Sequence, residues 1–395
     1  MPRCATAFGA RWAGLALLGA LGGCVEPYAP DVVAAPASYL VVDGFINGNG
    51  PTTVLLTRTA QLAATAAAPV EKGAKVFIAD DAGGRYALTE KASGTYQSDS
   101  LVLSATRRYQ LTIATAGNAS YASDLVPLKV TPPIDQLGWA SDGGQVQLKI
   151  STHDPQQQTR YYRWGLVETW EFNSAYESFL EYDPVQQIIV PRTTPIYTCW
   201  RTERSSAIRQ GSSAQLGQDV LTGFSLLVVP ARAERLKVRY SVLVRQSAET
   251  AAEFAYYELL RKNTEAVGTV NDPLPVQLTG NVHRVGDTQE PVLGFVGAHT
   301  VQQKRLFIDR AALNLPKDWA FDTPYSGCTM GKELVPDPGD KTPIAIPQTR
   351  TFSTPGNVPV DYLVSENNII LGYIGSSRDC VDCRARGSNV KPSFW

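Results

Sequence analysis

Apolar and polar residues alternate with a period of two along most of this chain, the spacing that gives a strand one buried and one wet face. "SYLVVDGFI" leads through the turn cluster Asn47-Gly48-Asn49-Gly50-Pro51 into "TTVLLTRT", which is a hairpin pattern. "AKVFIADD", "RYALTEK", "GTYQSD", "RRYQLTIAT" and "YASDLVPLKV" follow, and in the fourth of these Tyr109, Leu111 and Ile113 alternate with polar neighbours. Short strands at this spacing predict an immunoglobulin-like or prealbumin-like sandwich over residues 37–131. Thr131-Pro132-Pro133 then marks a boundary.

A larger β-rich domain is expected over residues 132–395. "QVQLKIST" and the long aromatic "RYYRWGLVETWEF" are strand candidates. "LKVRYSVLVRQ" alternates most cleanly, with Leu236, Val238, Tyr240, Val242 and Val244 on one face and Lys237, Arg239, Ser241 and Arg245 on the other. One helix stands out in "SAETAAEFAYYELLRKN". It has Ser247 as the expected N-cap, an apolar stripe through Ala251, Phe254, Tyr257 and Leu260, and Arg261 and Lys262 at its C-terminal end. The fold class read from these patterns is mainly β, an N-terminal sandwich followed by a larger β-rich domain with one helix.

Composition narrows the function. Lys and Arg number 36 against 37 Asp and Glu, so no charge excess argues for nucleic acid. Charged residues make up only 18 % of the 395 positions, while 32 Gly and 26 Pro suit a turn-rich β architecture. The N-terminus carries Arg3 and Arg11, then a short apolar core from Trp12 to Leu21, too short for a spanning helix. Leu21, Gly22 and Gly23 precede Cys24 with the spacing of a bacterial lipobox. Residues 1–23 are therefore expected to be a lipoprotein signal peptide and Cys24 the acylated first residue. Residues 24–36, with Pro27, Pro30 and Pro36, read as an extended tether. Two or three acyl chains, at about 0.8 kcal/mol per buried methylene, would hold the protein to a membrane without spanning it. The expected location is the outer membrane, lipid-anchored and facing the cell exterior; acidic Glu26 and Asp31 in the tether point the same way.

Catalytic constellations are sparse. His153, His283 and His299 show no metal-ligand spacing, and no nucleophile elbow or phosphate loop appears. Glu168 with Glu171 and Glu177 with Glu181 are the carboxylate pairs a glycosidase would require about 5 to 9.5 Å apart across a cleft. No enzyme activity, cofactor or metal is expected. The aromatics carry the stronger signal: Tyr162, Trp164, Trp170, Phe172 and Tyr176 crowd one stretch. Tyr162, Trp164, Leu166 and Glu168 share one strand face, and Tyr161, Arg163, Gly165, Val167 and Thr169 the other. With the aromatic row outward the strand would offer a platform for sugar rings or a partner protein; with it inward the same residues are core.

Cys199, Cys328, Cys380 and Cys383 remain after the signal and the acylated cysteine. In an exported protein an even number favours disulfides, and the reading adopted ties Cys199 and Cys328 separately to the two tail cysteines. A four-cysteine zinc site and a redox CxxC are the alternatives. The latter needs a helix to lower the thiol pKa, for which the twelve residues after Cys383 leave little room.

The lipobox, "YLVVDGFI" with "TTVLLTRT", "GTYQSD", "YTCW", "LTGNVHRVGD" with "EPVLGFVGA", and "CVDCRARGSNVKPSFW" together resemble a lipoprotein family of the Bacteroidota, domain of unknown function 4249. The resemblance covers the mature chain and is most specific in its terminal motif and its "GNV…LGF" segment. It implies an accessory, ligand-capturing partner of a TonB-dependent outer-membrane transporter, and it carries over no catalytic residues. A free-standing glycan- or protein-binding surface adhesin is the alternative.

Overall fold

A computed structural model describes residues 38–60, 67–265, 278, 280–287, 289–334 and 351–395. The signal peptide, Leu21, Gly22, Gly23, Cys24 and the tether lie outside the described residues. The fold is mainly β and built from antiparallel sheets, as the alternation predicts. Among the described residues no helix is long and apolar enough to cross a membrane.

The first unit comprises β1 (Leu40–Gly44), β2 (Ile46–Asn47), β3 (Asn49–Arg58), β4 (Lys75–Asp80), β5 (Arg85–Ala92), β6 (Thr95–Val102), β7 (Arg108–Ala114), β8 (Ser120–Ser123) and β9 (Val126–Pro127). The main sheet runs β1-β3-β6-β5-β4-β7-β8, with β9 on β7. Val76 and Ile78 of β4 and Tyr109, Leu111 and Ile113 of β7 all point into one core, so the period of two translates directly into burial.

Next come β10 (Ile134–Ser141), β11 (Gln145–His153), β12 (Tyr161–Asn173), β13 (Leu180–Asp183), β14 (Ile188–Pro191), β15 (Thr198–Arg204), β16 (Arg209–Ser212), β17 (Val220–Pro230), β18 (Arg239–Glu249) and α1 (Ala251–Glu265). The three-stranded sheet β10-β11-β17 packs on a second sheet in which β12 lies between β18 and the β15 and β16 segments. Val146, Leu148 and Ile150 of β11 meet Tyr162, Trp164 and Leu166 of β12 and Tyr240, Val242 and Val244 of β18 in a second core. Trp164 donates to Gln246 Oε1 at 2.8 Å, and the Gln246 amide donates on to Pro132 O and Thr152 Oγ1, so these buried polar groups are satisfied.

The chain then does something the boundary at residue 132 does not anticipate. β19 (Val282–Arg284) pairs with β8, Leu293 bridges to Val41, and β20 (Ala298–His299) pairs parallel with β2. Val282, Val292, Val296 and Ala298 complete the first core. The segment from 282 to 299 thus belongs to the sandwich of residues 37–131, not to a domain spanning 132–395. Its pairing partners lie more than 150 residues upstream, a distance over which local pattern carries no information. β21 (Val301–Asp309) then returns to the second unit and pairs with β18. A third cluster is built from β22 (Gly331–Leu334), β23 (Asn357–Val364), β24 (Ile370–Ser377) and α2 (Arg378–Val381), with Ile196, Val360, Cys380 and Val381 at its centre.

The helix also differs from the expectation. Ser247 lies in β18, whose pairing with β12 continues through Glu249, and the helix is capped by Thr250: its Oγ1 accepts from Glu253 N at 3.1 Å and its carbonyl from Phe254 N at 2.9 Å. Ala251 is exposed, and the one fully buried residue of α1 is Glu253. The inward face of this helix is mixed: Phe254 packs on Tyr161 and Tyr257 lies against Arg163, as the stripe predicts, and the buried Glu253 between them answers to what the helix covers.

Candidate ligand cleft where the units meet

The even residues of β12 face inward. Tyr162, Trp164, Trp170 and Phe172 are buried in the second core, and half-buried Tyr176 donates its hydroxyl to Cys328 O at 2.9 Å. This corrects the expected contact platform: the β10-β11-β17 sheet covers that face, so none of the four core rings is free to stack on a ligand. Glu168 is buried with them, where it accepts from Tyr240 at 2.7 Å and from Arg235 at 2.5 Å. Burial and this carboxylate hold the Tyr240 hydroxyl above its usual range. Glu171 points out on the opposite face, so the two carboxylates do not form a facing pair.

The odd face is the accessible one. Register aligns Arg163 with Ser247, Gly165 with Arg245 and Val167 with Leu243, and sets Val301, Gln303 and Arg305 of β21 beside them. Over Gly165 lies a cavity of about 250 Å³, lined by Phe45 from the first unit, Arg163, Ile208 and the 205–207 turn, Arg209, Arg245 and Val301. A Cβ added at Gly165 would meet nothing within 4 Å, so the glycine is the open floor.

The arginines around this cavity differ in what neutralises them. Arg163 Nε stands 2.6 Å from Glu249 Oε1, its Nη2 donates to Glu253 Oε1 at 3.2 Å, and its guanidinium lies 3.9 Å from the Tyr257 ring centroid. Burial pushes Glu249 up to about 7 and Tyr257 up to about 12, with Arg163 opposing both shifts. Gln210 donates to Glu249 Oε2 at 2.7 Å and His299, stacked on Phe45 at 4.1 Å, closes the cluster 3.7 Å from Glu253. Gly297 lets the Glu253 carboxylate come close: a Cβ there would stand 2.2 Å from Oε2. These groups explain why α1 buries a glutamate.

Arg209 is held by oxygens without charge, donating to Leu226 O at 2.9 Å and Ser205 Oγ at 2.6 Å. Arg245 has neither a hydrogen bond nor an ion pair from its side chain among the described residues. Burial, reinforced by nearby Arg204, lowers its pKa. Two other hollows provide the contrast. In one, Arg58 pairs with Glu71 and Arg284 with Glu290; in the other, Arg192 pairs with Glu181 and Arg378 and Arg384 with Asp382. Sequence alternation placed Arg163 and Gly165 together on one face of their strand and Arg245 on the polar face of its own, yet their convergence depends on the β12–β18 register, which the sequence does not state.

The disulfides join Cys199 to Cys383 and Cys328 to Cys380, each tail cysteine having its own distant partner. Among the described residues, no three His, Cys, Asp or Glu side chains gather as a metal-holding group. The cross-links hold the tail against the body. Ser388 pairs with Trp200, Arg386 grips Glu234 at 2.8 and 2.6 Å, and Trp395 donates to Glu171 Oε2 at 3.1 Å. Gly387 passes where a Cβ would stand 2.6 Å from Trp200 O. Phe394 and Trp395 thereby lie on the odd face of the β12 sheet, with Arg305 3.5 Å from the Phe394 ring centroid and Trp395 5.7 Å from the Phe307 ring.

A third feature is apolar and exposed. At the tip of the β23–β24 hairpin and its neighbour β22, Leu334, Val364, Ile369, Ile370 and Leu371 are 45 to 61 % exposed. β-pairing sets Val364 against Ile370 at the hairpin tip and Leu334 against Gly372 on the neighbouring strand.

No curated protein matches the chain. Among solved structures, it is similar to a pullulanase complexed with maltotriose from Anoxybacillus sp. LM18-11 at 13 % identity and a TM-score of 0.16, over 54 % of this chain and 24 % of that one. It is similar to a putative carbohydrate binding protein from Bacteroides uniformis ATCC 8492 at 10 % identity and a TM-score of 0.16, over 54 % of this chain and 91 % of that one. The adhesin InvE of Yersinia pseudotuberculosis shares 17 % identity with a TM-score of 0.14, over 53 % and 55 % of the two chains. Overlaps this weak carry no argument about fold or function. The family model described as Domain of unknown function (DUF4249) matches residues 25–305, and with that span this chain belongs to the DUF4249 family.

Proposed function

We propose that this protein is a lipid-anchored, surface-facing lipoprotein of the outer membrane that acts as the accessory, ligand-capturing partner of a TonB-dependent transporter. The observation that carries the partner half of this reading is the aliphatic tip of β22, β23 and β24. Leu334, Val364, Ile369, Ile370 and Leu371 are all exposed at one end of this small sheet, a concentration of aliphatic surface that protein partners cover. The lipobox at Leu21 to Cys24 supports the anchor, since acylation there would hold the folded part near a membrane protein at high local concentration. The cleft over Gly165 is where a ligand would be captured.

The adhesin reading loses the residues it was built on, because Tyr162, Trp164, Trp170 and Phe172 are core. The test is purification of the tagged full-length lipoprotein from its own membranes in mild detergent. A stoichiometric outer-membrane barrel is expected in the eluate, and Ile369→Asp with Leu371→Asp is expected to lose it while the protein still folds and anchors. Recovery of no barrel with the wild-type chain would count against the partnership.

A further inference from the structure

We infer that the cleft over Gly165 is a binding site for a small organic anion, a carboxylate carried on an apolar ring or short chain, with Arg245 as its charge partner. This rests on reading the cleft as the capture site, and the transporter partnership is not needed for it.

The argument begins with charge. Taking a guanidinium out of water without a counter-charge is unfavourable, and proteins normally provide a carboxylate. This chain does so in its other hollows, where Arg58, Arg284, Arg192, Arg378 and Arg384 each face Asp or Glu. At the cleft it pairs Arg163 with Glu249 and Glu253, satisfies Arg209 with carbonyl and hydroxyl oxygens, and gives half-buried Arg245 nothing. Exposed Arg204 adds a second positive charge to the neighbourhood and likewise has no carboxylate in contact. An arginine fork beside an empty hollow suits a planar carboxylate, which it can meet with two parallel N–H donors.

The walls set the rest of the ligand. Phe45, Ile208 and Val301 are apolar, Ser205, Ser206 and Ser247 supply hydroxyls, and Gly165 keeps the floor clear. About 250 Å³ is below the size of a drug-sized pocket, so one ring or a short chain is the matching body. The chain makes a related contact one register step away on the same face, where Arg305 lies 3.5 Å from the Phe394 ring centroid. Aromatic bodies against arginine are therefore a contact this surface already supports.

The experiment is ligand-observed NMR titration of the full mature chain with sodium benzoate, with benzamide as the uncharged isostere and inorganic phosphate as an anion lacking an apolar body. Benzoate is expected to bind, benzamide and phosphate at least tenfold more weakly. Arg245→Gln is expected to weaken benzoate at least tenfold, and so is Gly165→Leu, which fills the floor without a backbone clash. Unfolding midpoints equal to wild type would establish that both variants fold. The proposal is overturned by absence of benzoate binding, by benzamide binding equally well, or by benzoate affinity that ignores both substitutions. Phosphate binding as tightly as benzoate through Arg245 would overturn the apolar half of the assignment. Recovery of a barrel partner tests the functional reading separately and is unaffected by any of these outcomes.

Discussion

The outward face of the β12–β18–β21 sheet has two ends that the chain treats in opposite ways. At one end its own C-terminus lies on the strands: Trp395 on Glu171, Phe394 under Arg305, and Arg239 paired with Asp309. At the other end the face stops at the first unit, and between Phe45 and the 205–207 turn it stays open over Gly165. One end carries Arg239 neutralised by Asp309 and Arg305 set against the Phe394 ring and the Ser241 hydroxyl; the other carries Arg245 without a counter-charge or a ring. Both ends consist of the same alternating strands, so secondary structure does not decide which becomes a site. What decides is which other part of the chain arrives there: a tail held by cross-links, or a joint that leaves a gap.

Removing the cross-link should test that contrast most strongly. Cys199 and Cys383 are 184 residues apart, and in the chain-entropy model a loop that long contributes about 5 kcal/mol, with strain and residual structure reducing it. Cys199→Ser with Cys383→Ser should lower stability by a few kcal/mol toward that bound, measured by denaturant unfolding, and should release the tail to proteolysis after Arg384 or Arg386. A tail that stays protected, with an unchanged midpoint, would mean that Ser388, Arg386 and Trp395 hold it without the disulfide.

At the open end the support is the buried charge cluster. Gly297→Ala would set a methyl 2.2 Å from the Glu253 carboxylate, which is itself fixed by Arg163. Overpacking of this kind costs about 1–3 kcal/mol. Thermal unfolding should show that loss, and benzoate binding should weaken with it if the cleft depends on the position of Arg163. An unaltered midpoint would show that Glu253 can move aside freely.

The same cluster makes stability depend on pH. Desolvation raises Glu249 to about 7, opposed by Arg163 and reinforced by Glu253, whereas in the unfolded chain it titrates near the ordinary glutamate value. The folded state therefore binds more protons between those two values, and stability falls as pH rises through that window. From pH 5 to pH 8 the loss assigned to this group is on the order of 1–2 kcal/mol, since its charge is shared with Arg163, Glu253 and their neighbours. Glu249→Gln should flatten the slope of unfolding free energy against pH. An unchanged slope would move the effect to other groups.

Much of this fold was legible and the site was not, for a physical reason. Alternation at Tyr109, Leu111 and Ile113, or at Tyr240, Val242 and Val244, reports burial because strand faces are local. Compartment and count pointed to disulfides among Cys199, Cys328, Cys380 and Cys383, while the Cys199–Cys383 and Cys328–Cys380 connectivity is set by the fold. Whether the aromatic stretch was platform or core stayed open in the sequence because alternation identifies two faces of β12 without saying which one another sheet covers. Ser247 was misread as a cap because hydrogen bonding to β12 extends β18 past it. Arg245 and Gly165, adjacent in the ladder, are 80 positions apart in sequence, and the return of residues 282–299 to the first core is a contact of still longer range.

The smallest expected effect bears most directly on the two ends. Trp395→Ala removes the indole hydrogen bond to Glu171 and the edge contact with Phe307, both at the protein surface, while the cross-links remain. An exposed hydrogen bond and aromatic contact of this kind contribute roughly 1 kcal/mol together, so the unfolding midpoint should shift only slightly. The surface should change more than the stability. Glu171 loses its donor, Arg239 loses the ring 5.5 Å from its guanidinium, and the tail end of the sheet comes to resemble the open end in having an arginine beside a hollow. If occupancy alone distinguishes the two ends, benzoate should gain a second, weak site in Trp395→Ala that survives Arg245→Gln. A single site in Trp395→Ala that is lost on adding Arg245→Gln would instead assign the difference to Asp309, which stands 3.1 Å from Arg239 Nε and neutralises it whether or not the tail is present.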